Sequence, residues 1–395
     1  MRVNYGQTVH GKEEINAVLK VLKNSTQMGA NTKDFESKIS KLFDKKYGLM
    51  VNSGSSALLL AFLSLNLPKG SNFITPCLTF ATTVASMIQA GYVPNFVDVN
   101  KSTFCISEDD IEKSINKNTK GIIIPNLLGN IPQWQKIKKI SKKYKLLVIE
   151  DSADALGSKL NNNSTGKYTD ISITSFYGSH IINCAGNGGM VCFNNKDYYT
   201  KAKLLRSWGR SSSLYDEKSE AIENRFNIAV EGIKYDKKFI FSEIGYNLEP
   251  SELGAAFGLV QLKKLKKNIN LRTRNFKNHN KFFSKLDEYF EIPFQSKNVK
   301  TGWLAYPITI KKNVNFDRTD LQIYLEKNNI QTRVCFTGNI LKQPGFKNIN
   351  AIKLKSYPNS DYIMERTMLL ACHHGLTKKQ MEYIHLKILS FLKKF

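Results

Sequence analysis

Three short stretches combine residue types and spacings that can do chemistry. The first is Asn52-Ser53-Gly54-Ser55-Ser56-Ala57. It follows an apolar run and opens a helical one, so it reads as a strand-to-helix turn. Backbone N–H groups and the positive helix end make such a turn an anion site, and small side chains let a phosphate approach the backbone. A plain capped helix start has the same composition. The second is Val148-Ile149-Glu150-Asp151-Ser152-Ala153-Asp154-Ala155-Leu156-Gly157. Asp151 stands just past the end of a buried strand, the edge where open α/β sheets bind ligands. A carboxylate there can pair with a protonated pyridinium nitrogen and so maintain an electron sink; a structural helix cap is the other reading. The third is Thr174-Ser175-Phe176-Tyr177-Gly178-Ser179-His180-Ile181-Ile182-Asn183, followed by Gly186-Asn187-Gly188-Gly189-Met190. Its His180 carries an imidazole, which moves protons near neutral pH.

These stretches need a scaffold that brings them to one edge. Apolar runs at 48–51, 72–75, 93–97, 121–125, 146–149, 171–176 and 189–193 read as strands. Helical patterns at 53–65, 81–90 and 133–144 lie between them. Strands alternating with helices predict an α/β domain with a mostly parallel central sheet. From Lys263 the pattern changes to a long charged helix reaching Leu286, strands near 303–310 and 332–335, and a last helix from Thr377. The expected division is an N-terminal arm over 1–30, a large domain over 31–262 and a smaller C-terminal α+β domain over 263–395.

Composition bounds the possibilities. At 395 residues, 42% hydrophobic and 23% charged, the chain has ample material for a core. Six cysteines at irregular spacing exclude a disulfide scaffold. No run approaches the ~18 apolar residues of a membrane helix, and MRVNYGQTVHGKEE has no apolar signal core. The expected compartment is the cytoplasm, with no membrane partner. The net charge of +25 comes from 49 Lys and only 9 Arg, spread along the chain. Arg is the residue that reads bases, and no nucleic-acid motif accompanies the charge, so no nucleic-acid partner is expected. The charge reads as a solvated surface that also steers anionic ligands. His373-His374 has no further ligand motif nearby, and no metal site is expected.

The third stretch resembles the DegT/DnrJ/EryC1/StrS group of fold-type I sugar aminotransferases. That family carries a Ser-Phe-x-x-x-Lys run whose lysine binds pyridoxal phosphate covalently. Here His180 stands at the lysine position, as in the branch of nucleotide-4-keto-6-deoxysugar 3-dehydratases. Asp154-Ala155-Leu156-Gly157, Trp208-Gly209-Arg210, Gly245-Tyr246-Asn247-Leu248 and Phe336-Thr337-Gly338-Asn339…Gln343-Pro344 are similar to that branch too. Some members hold an iron–sulfur cluster through cysteines just after Trp-Gly-Arg. Here Ser211-Ser212-Ser213 follows, so the chain resembles the cluster-free style of GDP-colitose synthesis.

The resemblance implies a set of roles. Asp151 pairs with the pyridine nitrogen, Phe80 stacks on the ring, and Gly54, Ser55 and Ser175 hold the phosphate. Ser56 and Asp154 lie close by, Asp154 near the ring's 3-oxygen. Asn247 reaches the phosphate of the partner's cofactor, which requires a homodimer with shared sites. The cofactor is pyridoxal or pyridoxamine 5'-phosphate held non-covalently, with L-glutamate as the amino donor. His180 is the base that diverts the reaction from transamination to loss of the C3 hydroxyl of a nucleotide-linked sugar. Arg333 is a candidate for a carboxylate or diphosphate contact, or a surface ion pair. The loop from His180 to Gly188-Gly189 is one residue longer than in the branch, and its usual Glu is Asn187. Both changes face the sugar and admit a heptose as well as a hexose. A sugar aminotransferase and a cofactor-binding protein without turnover are the competing readings.

Overall fold

The computed structural model describes residues 1–215 and 225–395. A seven-stranded sheet is built from β1 (Tyr47–Val51), β2 (Asn72–Pro76), β3 (Val93–Val97), β4 (Thr119–Pro125), β5 (Leu147–Asp151), β6 (Ile171–Ser175) and β7 (Gly189–Phe193). Its spatial order is β1-β7-β6-β5-β4-β2-β3. Only β7 runs against the rest, pairing antiparallel with both β1 and β6. The expectation of a mostly parallel sheet in an α/β domain is borne out.

The apolar runs are nearly continuous because both faces of this sheet are covered. Alternation along each strand sends neighbours to opposite cores. Ile123 and Ile149 pack with Leu58, Phe62 and Leu205 of the helices on one face. Ile122, Ile124 and Val148 pack on the other with Trp134, Ile137 and Ile140 of the helix Trp134–Tyr144. That helix has apolar residues at helical spacing and Lys on its outer side, which is why it lies on the sheet rather than alone.

A second, antiparallel sheet joins β8 (Phe290–Glu291), β9 (Ala305–Ile310), β10 (Arg333–Val334) and β11 (Thr367–Ala371) in the order β8-β9-β11-β10. Its core holds Phe276, Phe283, Trp303, Tyr306 and Ile308, and the helix Lys378–Leu392 adds Ile384 and Ile388. The long helix differs from its expected start. It runs unbroken over Glu252–Phe283, and Lys263 lies inside it. The pattern hid this because Gly254-Ala255-Ala256 packs without the charged face that marks the later turns. The N-terminal arm also contains a helix, Lys12–Asn24.

Ser251 caps the long helix, and its first residue then serves a second helix. Gly29, the N-cap of the helix Ala30–Leu42, has no side chain to cap with. The buried Glu252 carboxylate takes that place. It accepts from the N–H groups of Gly29 (2.8 Å), Asn31 (2.7 Å) and Thr32 (3.2 Å), the Asn31 amide (2.9 Å) and the Thr32 hydroxyl (2.6 Å). The negative charge also suits the positive helix end. Glu252→Ala leaves these buried donors without an acceptor and should cost about 3 kcal/mol, read as a lower urea midpoint at unchanged slope.

Candidate functional site

The C-terminal ends of the parallel strands open into one cavity of about 410 Å³. Ser53, Gly54 and Ser55 follow β1, Phe80 follows β2, Pro125 ends β4, Asp151 ends β5 and Ser175 ends β6. His180, Asn187 and Gly188 enter from the loop between β6 and β7, and Asp154 from the turn after β5. Eight of the residues singled out from the sequence therefore line one space: Gly54, Ser55, Phe80, Asp151, Asp154, Ser175, His180 and Asn187.

One wall is a cradle of backbone at a helix start. Gly54 begins the helix Gly54–Leu63, and Ser53 caps it by accepting from the N–H of Ser56 (3.1 Å). A Cβ on Gly54 would lie 2.7 Å from the Cβ of Ser175, so only glycine leaves this space open. The Ser56 hydroxyl is spent on Asn52 Oδ1 (2.6 Å) and Ser53 Oγ (2.9 Å) and does not line the cavity. Its place is behind the cradle, holding the cap.

The carboxylates form the opposite chemical pole. Asp151 accepts from the Thr83 hydroxyl (2.9 Å) and from the N–H of Ala153 (3.1 Å). Burial pushes its carboxyl above the usual range. Asp154 accepts from the N–H of Leu128 (2.9 Å). Burial, reinforced by the charge of Asp151, pushes it up to about 7. Neither carboxylate forms an ion pair among the described residues. Phe80 is 51% exposed and meets Phe336 edge-on at 6.0 Å, leaving a ring face free at the mouth. An anion cradle, a free aromatic face and a buried carboxylate seeking a cation are the donor set of a phosphorylated pyridine cofactor. The residues present fit that group.

His180 occupies the loop wall. Its Nδ1 lies 3.3 Å from the carbonyl of Ser175. A carbonyl only accepts, so this contact favours a hydrogen on Nδ1. Burial, and then the charge of Arg272, pull the imidazole down to about 4, against hydrogen bonding to the backbones of Ser175 and Ala153. The ring is therefore a neutral base at neutral pH.

Two residues stand elsewhere. Asn247 is exposed and lines no wall of this cavity. It bridges Ser207, while Trp208 donates its N–H to the carbonyl of Tyr246 (2.7 Å). Gly209 has φ +77 and a Cβ there would strike the carbonyl of Glu243, so the Trp-Gly-Arg and Gly-Tyr-Asn motifs interlock through backbone. Arg333 lies on β10 with its guanidinium over the ring of Tyr5 at 5.3 Å, and Tyr5 in turn lines the cavity. Arg333 is thus placed beside the site rather than in its wall. Tyr5, Thr83, Leu304 and Phe336 were not singled out as site residues. Phe336 stands in a quoted motif and was within reach; Tyr5 and Thr83 carry no local signal. His373 and His374 are buried, with His373 Nε2 3.1 Å from the carbonyl of Asn4 and His374 Nδ1 accepting from Arg272 (3.2 Å). All six cysteines are free and buried. Among the described residues no group of three or more His, Cys, Asp or Glu is placed to hold a metal, and no helix is long and apolar enough to cross a membrane.

The strand order, the cradle and the carboxylate at the sheet edge define an α/β protein of the fold-type I aminotransferase class. The chain belongs to the DegT/DnrJ/EryC1/StrS aminotransferase family, whose model matches residues 8–389. It is 33% identical over 376 residues to the dTDP-4-dehydro-2,6-dideoxy-D-glucose 3-dehydratase of Saccharopolyspora spinosa, covering 93% of this chain and 81% of that one. It is 32% identical over 367 residues to the lipopolysaccharide biosynthesis protein RfbH of Salmonella typhimurium, covering 90% and 84%. A solved E. coli GDP-4-keto-6-deoxy-D-mannose-3-dehydratase with bound hydrated PLP matches with a TM-score of 0.87 at 26% identity, covering 98% of this chain and all of that one. The resemblance read from the motifs is borne out at the level of the family.

Two expectations follow from the geometry. Gly54→Ala fills the cradle and should weaken uptake of pyridoxal phosphate at least about tenfold, measured by absorbance titration, with the circular dichroism of the fold unchanged. Stability should fall with acid. His180, His279, His373, His374 and His385 are all pulled by burial below the ordinary histidine value, to between about 3 and about 4. The unfolded chain therefore binds protons that the native chain lacks as pH falls through about 6.5. Asp154 opposes this, since its raised value lets the native chain bind a proton first. Asp151, also raised by burial, opposes it in the same sense, and five groups against two give a lower urea midpoint at about pH 5 than at about pH 7.

Proposed function

We propose that the chain is a 3-dehydratase of a nucleotide-linked 4-keto-6-deoxy sugar, using pyridoxamine phosphate that L-glutamate regenerates. The observation that carries this reading is His180 at the wall of a cavity equipped for pyridoxal phosphate, with no lysine among the residues that line it. When bound, the cofactor supplies an amine for the sugar's 4-keto carbon and an electron sink for the bond-breaking. Gly54, Ser55 and Ser175 hold its phosphate, Asp151 keeps its ring nitrogen protonated, and Phe80 covers its ring. Asp154 sits beside them at the ring's oxygen. His180 Nε2 accepts a proton and delivers one to the departing C3 hydroxyl, so that the oxygen leaves as water. Imidazole cannot replace the covalent lysine that completes a transamination, and elimination is the outcome. Asn187 faces the sugar nucleotide from the cavity wall, and Arg333, beyond Tyr5, is the candidate for a diphosphate or carboxylate contact.

The relatives support a nucleotide sugar as substrate: the curated dehydratase is named for a dTDP sugar and the solved one for a GDP sugar. We favour GDP, with a hexose or heptose, as read from the cluster-free motifs. The setting is dideoxysugar synthesis for surface polysaccharide, in the cytoplasm. We also propose a homodimer in which Asn247 completes the partner's phosphate site. Close to Asn247 in sequence the chain exposes Phe241 and Ile244, the last 97% exposed, apolar side chains that a second copy would cover.

The deciding experiment is product mass after incubation with glutamate, pyridoxal phosphate and GDP-, CDP- and dTDP-linked 4-keto-6-deoxysugars. A ketone product about 16 Da lighter, with 2-oxoglutarate formed, is expected. A product carrying a new amine would overturn the reading. His180→Asn should retain cofactor yet lose C3 deoxygenation by at least about a hundredfold, followed by the same mass assay.

A further inference from the structure

An arginine taken fully out of water is costly unless its charge and donors are met. Arg272 has no exposed surface and sits about two-thirds of the way along the helix Glu252–Phe283. All five of its N–H donors find acceptors. Nε donates to His374 Nδ1 (3.2 Å), Nη1 to the carbonyls of Trp303 (3.1 Å) and Leu304 (3.0 Å), and Nη2 to the carbonyls of Ser179 (2.9 Å) and His180 (3.0 Å). None of these acceptors is a carboxylate. The guanidinium is fully hydrogen-bonded and not neutralised.

The choice of carbonyls is what makes the residue informative. Ser179 and His180 supply the two peptide groups that flank the His180 Cα. Leu304 lines the same cavity and leads into β9. A planar guanidinium whose two N–H bonds on each arm diverge at a fixed angle sets such groups in direction as well as distance, which an ammonium on a flexible stem does not. We propose that Arg272 is the positioning residue of this site: its two forks set the peptide planes on either side of His180 and tie them to the Leu304 wall.

The inference rests on the reading of His180 as the base. Its electrostatic side agrees with the geometry. Around the pair lie Asp151, Asp154, Tyr5 and Tyr177 on the cavity side and His373 and His374 on the other. The carboxylates favour a charged imidazole, and Arg272 disfavours one. After burial, Arg272 is the next cause pulling down His180, His373 and His374 alike. Burial pulls Arg272 itself down to about 10, which leaves it charged at neutral pH.

The test compares Arg272→Lys, Arg272→Gln and His374→Leu with the parent holoenzyme. Turnover and KM are measured, and the His180 ring is followed by carbon-13 histidine NMR, assigned through His180→Asn. Arg272→Lys keeps the charge and loses the forks. Turnover should fall at least about a hundredfold with KM within about threefold, and His180 should titrate near its parent value. Arg272→Gln removes the charge, and the His180 titration should rise by about a pH unit or more. His374→Leu removes only the Nε acceptor and reports even if the Arg272 variants fail to fold. It should lower turnover about threefold to tenfold at constant KM. Full turnover in Arg272→Lys, or an unmoved His180 titration in Arg272→Gln, overturns the proposal; so does unchanged turnover in His374→Leu. The NMR titration needs no substrate. A parent protein that fails to dehydrate any sugar would sink the proposed function while the Arg272 measurement still gives its answer.

Discussion

The site depends on an unbalanced pair of charges around one cavity. Asp151 and Asp154 are buried without a bonded cation, and Arg272 is buried without a bonded anion. Burial of this kind is unfavourable for the chain alone. It persists because each group is satisfied by hydrogen bonds that also fix its place. Thr83 and the Ala153 amide hold one carboxylate, the Leu128 amide holds the other, and four carbonyls and an imidazole hold the guanidinium. A cationic ring bound against Asp151 would relieve one half of the imbalance. The other half stays, and it bears on the imidazole next to it. On the proposed reading, binding strength and base strength would be set by two groups of opposite sign on different elements.

A second polar layer supports the first. Along β5 the side chains alternate, so Glu150 turns away from the cavity that Asp151 faces. Glu150 is buried and accepts from Asn126 (3.1 Å), Ser152 (3.0 Å) and Ser172 (2.6 Å). The buried Lys45 lies close by, donating to the carbonyls of Gly166 (2.5 Å) and Thr169 (2.6 Å). These bonds tie β4, β5 and β6 together just beneath their C-terminal ends. Asp151 and Ser175 are therefore carried on a cross-linked sheet edge and not on free loops.

Much of this was legible in the residues, and the reasons differ by feature. The strands could be read because a sheet covered on both faces writes unbroken apolar runs. Asp151 and the Gly54 cradle could be read because their chemistry follows from position at a strand end and a helix start. His180 needed more: a lone histidine says little until its place in a known run is seen. What stayed hidden depends on contacts far apart in sequence. Arg272 reaches back 92 and 93 residues to the carbonyls of His180 and Ser179, and nothing near it in the helix marks it as different from Arg274. Tyr5 joins the cavity from the far N-terminus, and Thr83 looks like any polar residue in a first helical turn. The helix start at Glu252 was missed because small residues pack closely there, and close packing erases the amphipathic stripe.

The long helix has a consequence for how the molecule can move. It is 32 residues, roughly 48 Å at the usual rise. Its first turn is bolted to the helix Ala30–Leu42 through Glu252, its middle to the His180 loop through Arg272, and its last turns are packed in the core of the second sheet through Phe276 and Phe283. A hinge between the two sheets would have to break this rod, which contains no proline and no kink to break at. The two halves are better described as one stiff frame. Gln261 and Lys264 of the rod also hold the N-terminal arm, through Val9 and Glu14, so entry and exit of a bulky ligand are left to the mouth between Phe80 and Phe336.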